Sequence, residues 1–351
     1  MNFFPKLRQR RRKAVYYSTN AIKNLLPDNL WQNKLKSTLD NAEKYDIDYI
    51  FDRVNYYNKL NRFFNIVSEV ERNRRKMREA ITSGSGEPVE FIISTHKKTS
   101  KISDFNIKDA KHHTYFYDLR KYLRYFNSNF IFSYLFFDVN FLIDTPTIVK
   151  SRPISGDNQN SVIINLDKIR HFNFVHDKLE FKDKKNILVW RGAAYRKNRK
   201  EVLKKFYGHE LCDIGQTNKP KEDVPWQKDY MGIYEQLKNK FILCIEGNDV
   251  ATNLKWTMSS NSVCMMIKPK FETWFMEGNL IPNYHYVQLK DDYSDLKEKL
   301  NYYSKNVSES LKIIKNANDY VEQFKNKKRE DIISLLVLKK YFDKSKQKSL
   351  L

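Results

Sequence analysis

The chain has 351 residues, of which 41% are hydrophobic, so it is long enough for one large domain or two medium ones with sizeable cores. Its 64 Lys and Arg exceed its 42 Asp and Glu, and the formal net charge of +22 favours an anionic partner such as nucleic acid, an anionic membrane or a phosphorylated ligand. The three cysteines show no metal or redox spacing, and the most apolar stretch, residues 130–137, is too short to span a bilayer. We therefore expect a reducing, cytosolic setting.

Positive charge is most concentrated near the N-terminus. No acid precedes Asp28, and apolar side chains accompany the cations there. This pattern fits either a solvated arm or an anchor to an anionic membrane surface. No apolar core follows the basic start, so the sequence predicts no secretory signal. The cations are Lys6, Arg8, Arg10, Arg11, Arg12 and Lys13, and the apolar residues are Phe3, Phe4 and Leu7.

The N-terminal third is predicted to be mainly helical. Apolar residues recur at steps of three and four over residues 50–67, which is the spacing of a helix that packs on a core. Residues 83–88 are rich in Gly and Ser and predict a linker. Beyond it we predict a strand over 89–94, a helix over 112–126 and a buried strand over 131–137.

Asp138 directly follows the strand predicted over 131–137. A carboxylate at a strand end, beside an apolar wall, can act as a general base. A turn aspartate that hydrogen-bonds the backbone explains the same position equally well. The residues alone leave both interpretations open.

From about residue 147 onward, apolar runs alternate with amphipathic ones. This alternation predicts βα units, a mainly parallel sheet, and two α/β lobes with a cleft between them. Beyond residue 294 the chain is predicted to be helical. The predicted strands are 162–166, 187–190, 211–214, 241–245, 263–267 and 286–289, and the predicted helices are 199–206, 230–239 and 252–260.

Arginines and a glycine follow the strand predicted over 187–190. Gly192 would let backbone N–H groups approach a ligand, and Arg191, Arg196 and Arg199 lie close in sequence. Arginines in such a turn can grip a phosphate group in a bidentate way. A surface turn with exposed arginines is the alternative.

A second polar cluster follows the strand predicted over 241–245. Glu246 is suited to hydrogen-bonding ribose hydroxyls. The next helix would favour an anionic ligand at its N-terminus, with Lys255 as an added cation and Asp249 or Thr252 as its cap. Ordinary capping with a solvated lysine is the alternative interpretation.

Six motifs stand in order along the chain: VKSRP (149–153), RHF (170–172), WRG (190–192) with Arg199, EGNDVATNLKW (246–256), ETWFMEG (272–278) and PNYHY (282–286). Taken together, they resemble glycosyltransferase family 90 over roughly residues 138–320. The bacterial lipopolysaccharide-core branch is more similar than the eukaryotic protein O-glucosyltransferases.

The resemblance implies an α/β, GT-B-like fold: two Rossmann-like lobes with a central cleft, a helical N-terminal extension and a helical C-terminus. It also implies an inverting, metal-independent transfer from a UDP-sugar without a further cofactor. Asp138 falls where the family places its catalytic base, and Arg199 falls on an arginine that contacts the donor diphosphate. At the position of a second donor arginine this chain has Asn253, for which Lys255, Arg191 or Arg196 is expected to compensate.

Two sets of residues are predicted to surround the substrates. The donor-binding set is Arg191, Gly192, Arg199, Glu246, Gly247, Asn248, Asp249, Thr252, Asn253 and Lys255. The candidate acceptor or sugar contacts are Lys150, Arg152, Glu272, Trp274 and His285.

Four regions are predicted. They are a basic arm and helical region (1–85), an acceptor-side lobe with the base (86–155), a sugar-nucleotide lobe (156–320) and a C-terminal helix that packs back on the acceptor-side lobe (321–351).

We expect transfer of a hexose or related sugar from a UDP-sugar to a lipopolysaccharide or lipooligosaccharide core acceptor. The expected location is the cytoplasmic face of an anionic membrane, with no nucleic acid bound. The alternatives are a protein O-glycosyltransferase, an inactive family member that only binds glycan, and a basic nucleic-acid-binding protein.

Overall fold

The computed structural model describes residues 3–66, 97–109 and 113–347. The linker predicted at 83–88 and the strand predicted over 89–94 lie outside the described residues. The chain divides into two compact units, which we name after their main sheets. The five-strand unit comprises Met1–Tyr17, Ile169–Lys270 and Phe275–Lys325, and the four-strand unit comprises Ser18–Lys168, Phe271–Trp274 and Asn326–Leu351.

The secondary structure mixes short strands with helices of very different lengths. The strands are β1 (Lys98–Lys101), β2 (Ile131–Leu135), β3 (Thr147–Val149), β4 (Arg152–Pro153), β5 (Ser161–Ile163), β6 (Lys185–Gly192), β7 (Cys212–Gln216), β8 (Asn239–Leu243), β9 (Val263–Ile267), β10 (Phe271–Glu272) and β11 (Val287–Leu289). The α-helices are α1 (Phe3–Asn24), α2 (Asn29–Gln32), α3 (Leu35–Asp40), α4 (Ile47–Tyr57), α5 (His113–Leu123), α6 (Lys168–His171), α7 (Lys197–Phe206), α8 (Ile233–Gln236), α9 (Leu254–Met258), α10 (Leu296–Lys305), α11 (Val307–Glu322) and α12 (Lys327–Lys344).

The four-strand unit is built on a sheet of order β1-β2-β3-β5. β1 runs antiparallel to β2, whereas β2, β3 and β5 are parallel. Helices α4 and α5 both pack against α12. Asp46 starts α4 because its side chain accepts the backbone N–H of Tyr49 at 3.1 Å. A two-stranded antiparallel pair, β4 with β10, completes the unit.

The five-strand unit contains a wholly parallel sheet of order β11-β9-β8-β6-β7. Its strands are apolar runs because a parallel sheet is covered on both faces and must bury both sets of side chains. Residues of all five strands, together with side chains of α7, α10 and α11, form one core cluster. The carboxyl ends of parallel strands lie at one edge of a sheet, so the polar turns after β6, β8 and β9 share that edge.

The mixed α/β fold with parallel sheets and helical termini is confirmed. Every strand predicted from 162–166 onward overlaps a strand of the structure, and the run over 263–267 coincides with β9. The C-terminal region is helical as predicted, in α10, α11 and α12.

Three helix predictions were too long. The helix predicted over 50–67 ends at Tyr57 because Asn58 adopts an extended conformation. The side chain of Asn58 accepts the N–H of Leu60 and donates to the Val337 carbonyl oxygen. In place of the helix predicted over 230–239, the structure has only the single turn α8, which begins after the extended Gly232. In place of the helix predicted over 252–260, it has only the five-residue α9.

In the described part of the chain, every helix is too short or too polar to cross a bilayer.

Candidate active site

A very small cavity, with a volume of about 10 Å³, lies at the carboxyl ends of the parallel neighbours β8 and β9. Two carboxylates, Glu246 and Glu277, line it among apolar side chains. Apolar walls with a few polar groups are typical of small-molecule sites, but a space of this size admits about one water molecule unless the surrounding loops open. The remaining lining residues are Cys244, Val250, Ala251, Leu254, Met266, Ile267 and Pro269.

Arg199, on the first turn of α7, links the loops that follow β6 and β8. Its guanidinium donates to the carbonyl oxygens of Ala193 at 2.8 Å, Ile245 at 2.8 Å and Glu246 at 3.1 Å. Burial, and to a lesser degree the charge of Arg170, lower the pKa of Arg199. Arg199 therefore brings a half-buried cation to the carboxyl edge of the five-strand sheet.

Gly247 makes this approach possible. A Cβ atom built on Gly247 would lie 3.1 Å from Arg199 Nη2, which is tighter than ordinary van der Waals contact. The backbone of the loop can therefore pass close to the guanidinium only where a side chain is absent.

The predicted donor residues of this loop contact mainly the protein itself. Glu246 Oε1 accepts the N–H of Lys270 at 3.0 Å, which joins the loops after β8 and β9. The Asp249 side chain is buried, and its backbone carbonyl accepts the N–H of Gly247. Asn248 and Thr252 are half-buried beside them.

The cap predicted for the next helix was wrong. α9 has Asn253 at its N-cap position, not Asp249 or Thr252, and the Asn253 side chain makes no capping hydrogen bond. It donates instead to the Leu243 carbonyl oxygen at the end of β8, at 2.8 Å. A five-residue helix also offers a weak dipole for the anionic ligand that the sequence suggested.

Lys255 is paired with an acid that the sequence reasoning did not assign to the site. Its Nζ lies 2.5 Å from Glu277 Oε1, and both side chains are fully buried. The ammonium group also lies 5.2 Å from the centre of the Phe275 ring. A lysine neutralised in this way carries little net charge to a phosphate group.

Arg191 points toward β7, whereas Arg199 reaches the loop after β8. The Arg191 guanidinium donates to the Asp213 carbonyl oxygen at 2.7 Å and to Asp213 Oδ1 at 2.6 Å. Burial would raise the pKa of Asp213, but the hydrogen bonds from Lys228 and Arg191 outweigh it and hold that pKa below its usual range. Gly192 follows, where an added Cβ would come within 2.8 Å of the Trp190 ring.

The Arg191–Asp213 pair lines a second, larger cavity of about 830 Å³. Lys185 and Asn239, the first residues of β6 and β8, are also part of its wall. This cavity shares no lining residue with the small cavity beside Glu246.

In the four-strand unit, Asp138 lies at the carboxyl end of the parallel pair β2 and β3. Lys150, the residue after β3, donates from Nζ to Asp138 Oδ1. Ser151 fixes the same loop because its Oγ accepts the N–H of Val139 at 3.1 Å. The Lys150 side chain is 2% exposed and that of Asp138 is 21% exposed, so a buried cation holds an accessible carboxylate.

Three of the predicted acceptor or sugar contacts lie in the interior of the four-strand unit. Arg152 is fully buried, and its Nε donates to Glu272 Oε1 at 2.8 Å. Trp274 stacks on Tyr57 at 3.8 Å between ring centres, and its Nε1 donates to Glu330 at 2.6 Å. These side chains stabilise the unit, and their predicted role as substrate contacts stays a prediction.

His285 belongs to the five-strand unit and is almost fully buried. Its Nδ1 accepts the N–H of Ile281 at 2.9 Å, so the neutral ring carries its proton on Nε2. Burial lowers the pKa of His285, which favours this neutral form.

Comparison with known proteins decides the family. The model of glycosyl transferase family 90 matches residues 165–348. The chain is also 37% identical over 333 residues to the O-glucosyltransferase LpsA of Dichelobacter nodosus, covering 94% of this chain and 95% of that protein. The chain belongs to glycosyl transferase family 90. The resemblance inferred from the six motifs is thus confirmed, and glycosyltransferase activity is supported.

The family 90 match covers the five-strand sheet, the cavity beside Glu246 and the C-terminal helices, but it begins after Asp138 and Lys150. The alignment with the Dichelobacter protein extends over 94% of the chain. Over residues 3–66, 97–109 and 113–347, no group of three His, Cys, Asp or Glu side chains is placed to hold a metal ion.

Two charged residues of the predicted donor set have partners that the sequence does not indicate. Glu277 lies within one of the six motifs, but nothing in the sequence pairs it with Lys255, and nothing marks Asp213 as the partner of Arg191. Each pair joins residues from different strands or loops, so its sequence spacing carries no signal.

Proposed function

We propose that this family 90 protein transfers a hexose or related sugar from a UDP-sugar to a lipopolysaccharide or lipooligosaccharide core acceptor, with inversion and without a metal ion. The observation that carries the proposal is the partly exposed Asp138 carboxylate, fixed by Lys150 at the carboxyl end of β2 and β3. The GT-B-like fold belongs to the same proposal, with the donor assigned to the five-strand unit and the base to the four-strand unit.

In this reaction Asp138 accepts the proton of an acceptor hydroxyl as that oxygen attacks the anomeric carbon of the donor sugar. The bond between the anomeric carbon and the diphosphate oxygen breaks on the opposite face. UDP leaves with the bonding electrons, and the configuration inverts. Lys150 keeps the carboxylate oriented toward the hydroxyl, since its ammonium group contacts one of the two carboxylate oxygens.

We assign the donor nucleoside to the carboxyl edge at β8 and β9, where the loops must open to admit it because the cavity there has a volume of only about 10 Å³. Its apolar lining suits a flat base, and Glu246 suits the ribose hydroxyls. The diphosphate is assigned to the neighbouring loops, where the charge of Arg199 opposes the negative charge that develops on the leaving group.

The acceptor is proposed to be a glycolipid at the cytoplasmic face of a membrane, where the protein is peripheral. The net charge of +22 favours the phosphates of such an acceptor and an anionic lipid surface. The name of the Dichelobacter relative, an O-glucosyltransferase, favours a hexose as the transferred sugar. Family membership favours this function over the nucleic-acid-binding alternative.

The first test is a panel of UDP-sugars and UDP, read as shifts of the melting temperature. The true donor and UDP should stabilise the folded protein, because a ligand that binds only the native state raises its stability. A panel without any shift would contradict the nucleotide-sugar assignment.

The mechanism is tested by Asp138→Asn, which keeps the shape of the side chain but cannot accept the proton. We expect transfer to fall by roughly 100-fold or more, the usual contribution of a general base, while the thermal shift with UDP persists. Retained transfer in this variant would show that another group is the base. Asp104→Asn, an exposed aspartate in the same unit, serves as the matched control.

A further inference from the structure

Four large apolar side chains are exposed within nine residues of the four-strand unit: Ile22, Leu25, Leu26 and Leu30, which are 63%, 84%, 44% and 49% exposed. Single exposed leucines are ordinary, but a contiguous group of large ones marks an interaction surface. We call this group the leucine edge.

The leucine edge is ordered rather than frayed. Ile22 lies in the last turn of α1, and backbone hydrogen bonds from Leu25 to Ile22 and from Leu26 to Lys23 continue that turn. Spacings of three and four residues place Ile22, Leu25 and Leu26 on one side of the turn. Leu30 follows at the start of α2.

Polar contacts hold the other side of this segment to the unit. Arg124 donates to the Lys23 carbonyl oxygen at 3.0 Å, and its guanidinium lies 4.2 Å from the centre of the Trp31 ring. Asp28 forms an ion pair with Arg120 at 2.6 Å. These anchors fix the backbone so that the leucine edge faces solvent.

The charge of the same stretch selects the partner. The first 27 residues contain seven Lys and Arg and no Asp or Glu, namely Lys6, Arg8, Arg10, Arg11, Arg12, Lys13 and Lys23. Among them, Arg10, Arg11, Lys13 and Lys23 are exposed. Apolar side chains that follow an excess of cations along the chain suit an anionic lipid surface, because the apolar groups enter the headgroup boundary and the cations meet its charge.

We propose that the leucine edge inserts into the surface of a bilayer that contains anionic phospholipids. The inference rests on the proposed membrane location and deepens it by naming the side chains that enter the lipid. It does not depend on which sugar is transferred.

The test is co-sedimentation of the full chain with vesicles of phosphatidylcholine alone or with about 30% phosphatidylglycerol. The variant is Ile22→Ser with Leu25→Ser and Leu26→Ser. Its matched control is Ile281→Ser with Leu311→Ser, two similarly exposed apolar residues outside the edge. We expect the wild type and the control to bind the anionic vesicles, more weakly at high salt. Binding by the variant should be weaker by roughly tenfold or more.

Equal binding by the variant and the wild type, or no binding by the wild type, would overturn the proposal. Sedimentation velocity could also overturn it. A dimer of the wild type that the variant cannot form would show that the leucine edge binds a second copy of the chain. The UDP-sugar thermal shift on the same samples separates a failure of the leucine-edge proposal from a failure of the proposed function. Vesicle binding without any donor shift would support the leucine-edge proposal and contradict the UDP-sugar assignment.

Discussion

At the scale of single residues, three carboxylates near the proposed site each have a buried cation as partner. Glu272 and Glu277 are 2% and 1% exposed in their pairs with Arg152 and Lys255, whereas Asp138 is 21% exposed in its pair with Lys150. A buried charge without a partner destabilises a fold by several kcal/mol, which explains the pairing. The difference in exposure makes Asp138 the carboxylate of the three that an acceptor hydroxyl can reach.

Lys150 is predicted to act through Asp138. Lys150→Met removes the ammonium group that holds one carboxylate oxygen, so we expect kcat to fall by roughly tenfold while KM for the donor stays unchanged. Lys150→Arg should restore part of the rate because it returns the positive charge. A rise in donor KM without a change in kcat would instead place Lys150 at the donor, and Michaelis kinetics of the three proteins distinguish these outcomes.

At the scale of elements, α7 holds the two loops at the carboxyl edge of the five-strand sheet together through Arg199. The three carbonyl oxygens that receive its hydrogen bonds belong to the loops after β6 and β8. The geometry of one loop therefore depends on the other, and a small displacement of the guanidinium affects both.

Gly247→Ala tests this link. The new methyl group would lie 3.1 Å from Arg199 Nη2, so the guanidinium or the loop must shift by a few tenths of an ångström. We expect the dissociation constant for UDP to rise by roughly three- to tenfold, a small share of a nucleotide's binding free energy. Gly232→Ala, where the structure leaves open space for the methyl group, is the matched control and should bind UDP normally. Normal UDP binding by Gly247→Ala would contradict the proposed diphosphate position.

A half-buried lysine connects α5, α6 and α12 in the four-strand unit. Lys168 donates from Nζ to the Tyr122 hydroxyl at 2.7 Å, and that hydroxyl donates to Asp331 at 2.9 Å. Burial, and then the charge of Lys121, lower the pKa of Lys168 to about 8. The folded protein therefore releases this proton at a lower pH than the unfolded chain does.

The stability of the protein should consequently rise between about pH 8 and about pH 10.4, where the unfolded chain still holds the proton that the folded protein has lost. Relative to Lys168→Met, we expect a wild-type gain on the order of 3 kcal/mol over that window. Denaturant unfolding at several pH values measures the difference. The exposed Lys36→Met is the control and should follow the wild type. Parallel pH profiles of the wild type and Lys168→Met would refute the assignment.

The strands of the five-strand unit were predictable because each is a short apolar run bounded by polar turns, and a buried parallel strand has that form. The short helices were not, because α8 and α9 are single turns fixed by tertiary contacts such as the bond from Asn253 to Leu243. The sequence indicated which loops form the candidate site, but it did not indicate which side chains in those loops contact one another. Lys150 was expected at the acceptor, and only the folded chain shows it beside Asp138.

At the scale of the whole molecule, neither unit is a continuous piece of chain. The four-strand unit takes its last helix, α12, from the end of the described sequence. Glu330 pairs with Arg53 in its interior, and Leu338, Tyr341 and Phe342 are fully buried. α12 is thus part of the core of the four-strand unit rather than an appendage.

Removal of residues 327–351 should therefore unfold the four-strand unit. We expect loss of its cooperative unfolding transition and rapid proteolysis between residues 18 and 168, since the buried faces of α4 and α5 lose their cover. Removal of residues 348–351 alone, which leaves α12 complete, is the control and should preserve both. Resistance of the longer truncation to protease would show that the unit is stable without α12.

The three cysteines provide a chemical probe of one of the two units. Cys212, Cys244 and Cys264 are the three thiols of the chain; all are buried, and all belong to the five-strand unit. A thiol reagent modifies such groups only when the surrounding structure opens. The rate of alkylation thus reports the opening of the five-strand unit, and not that of the four-strand unit, in the unaltered protein.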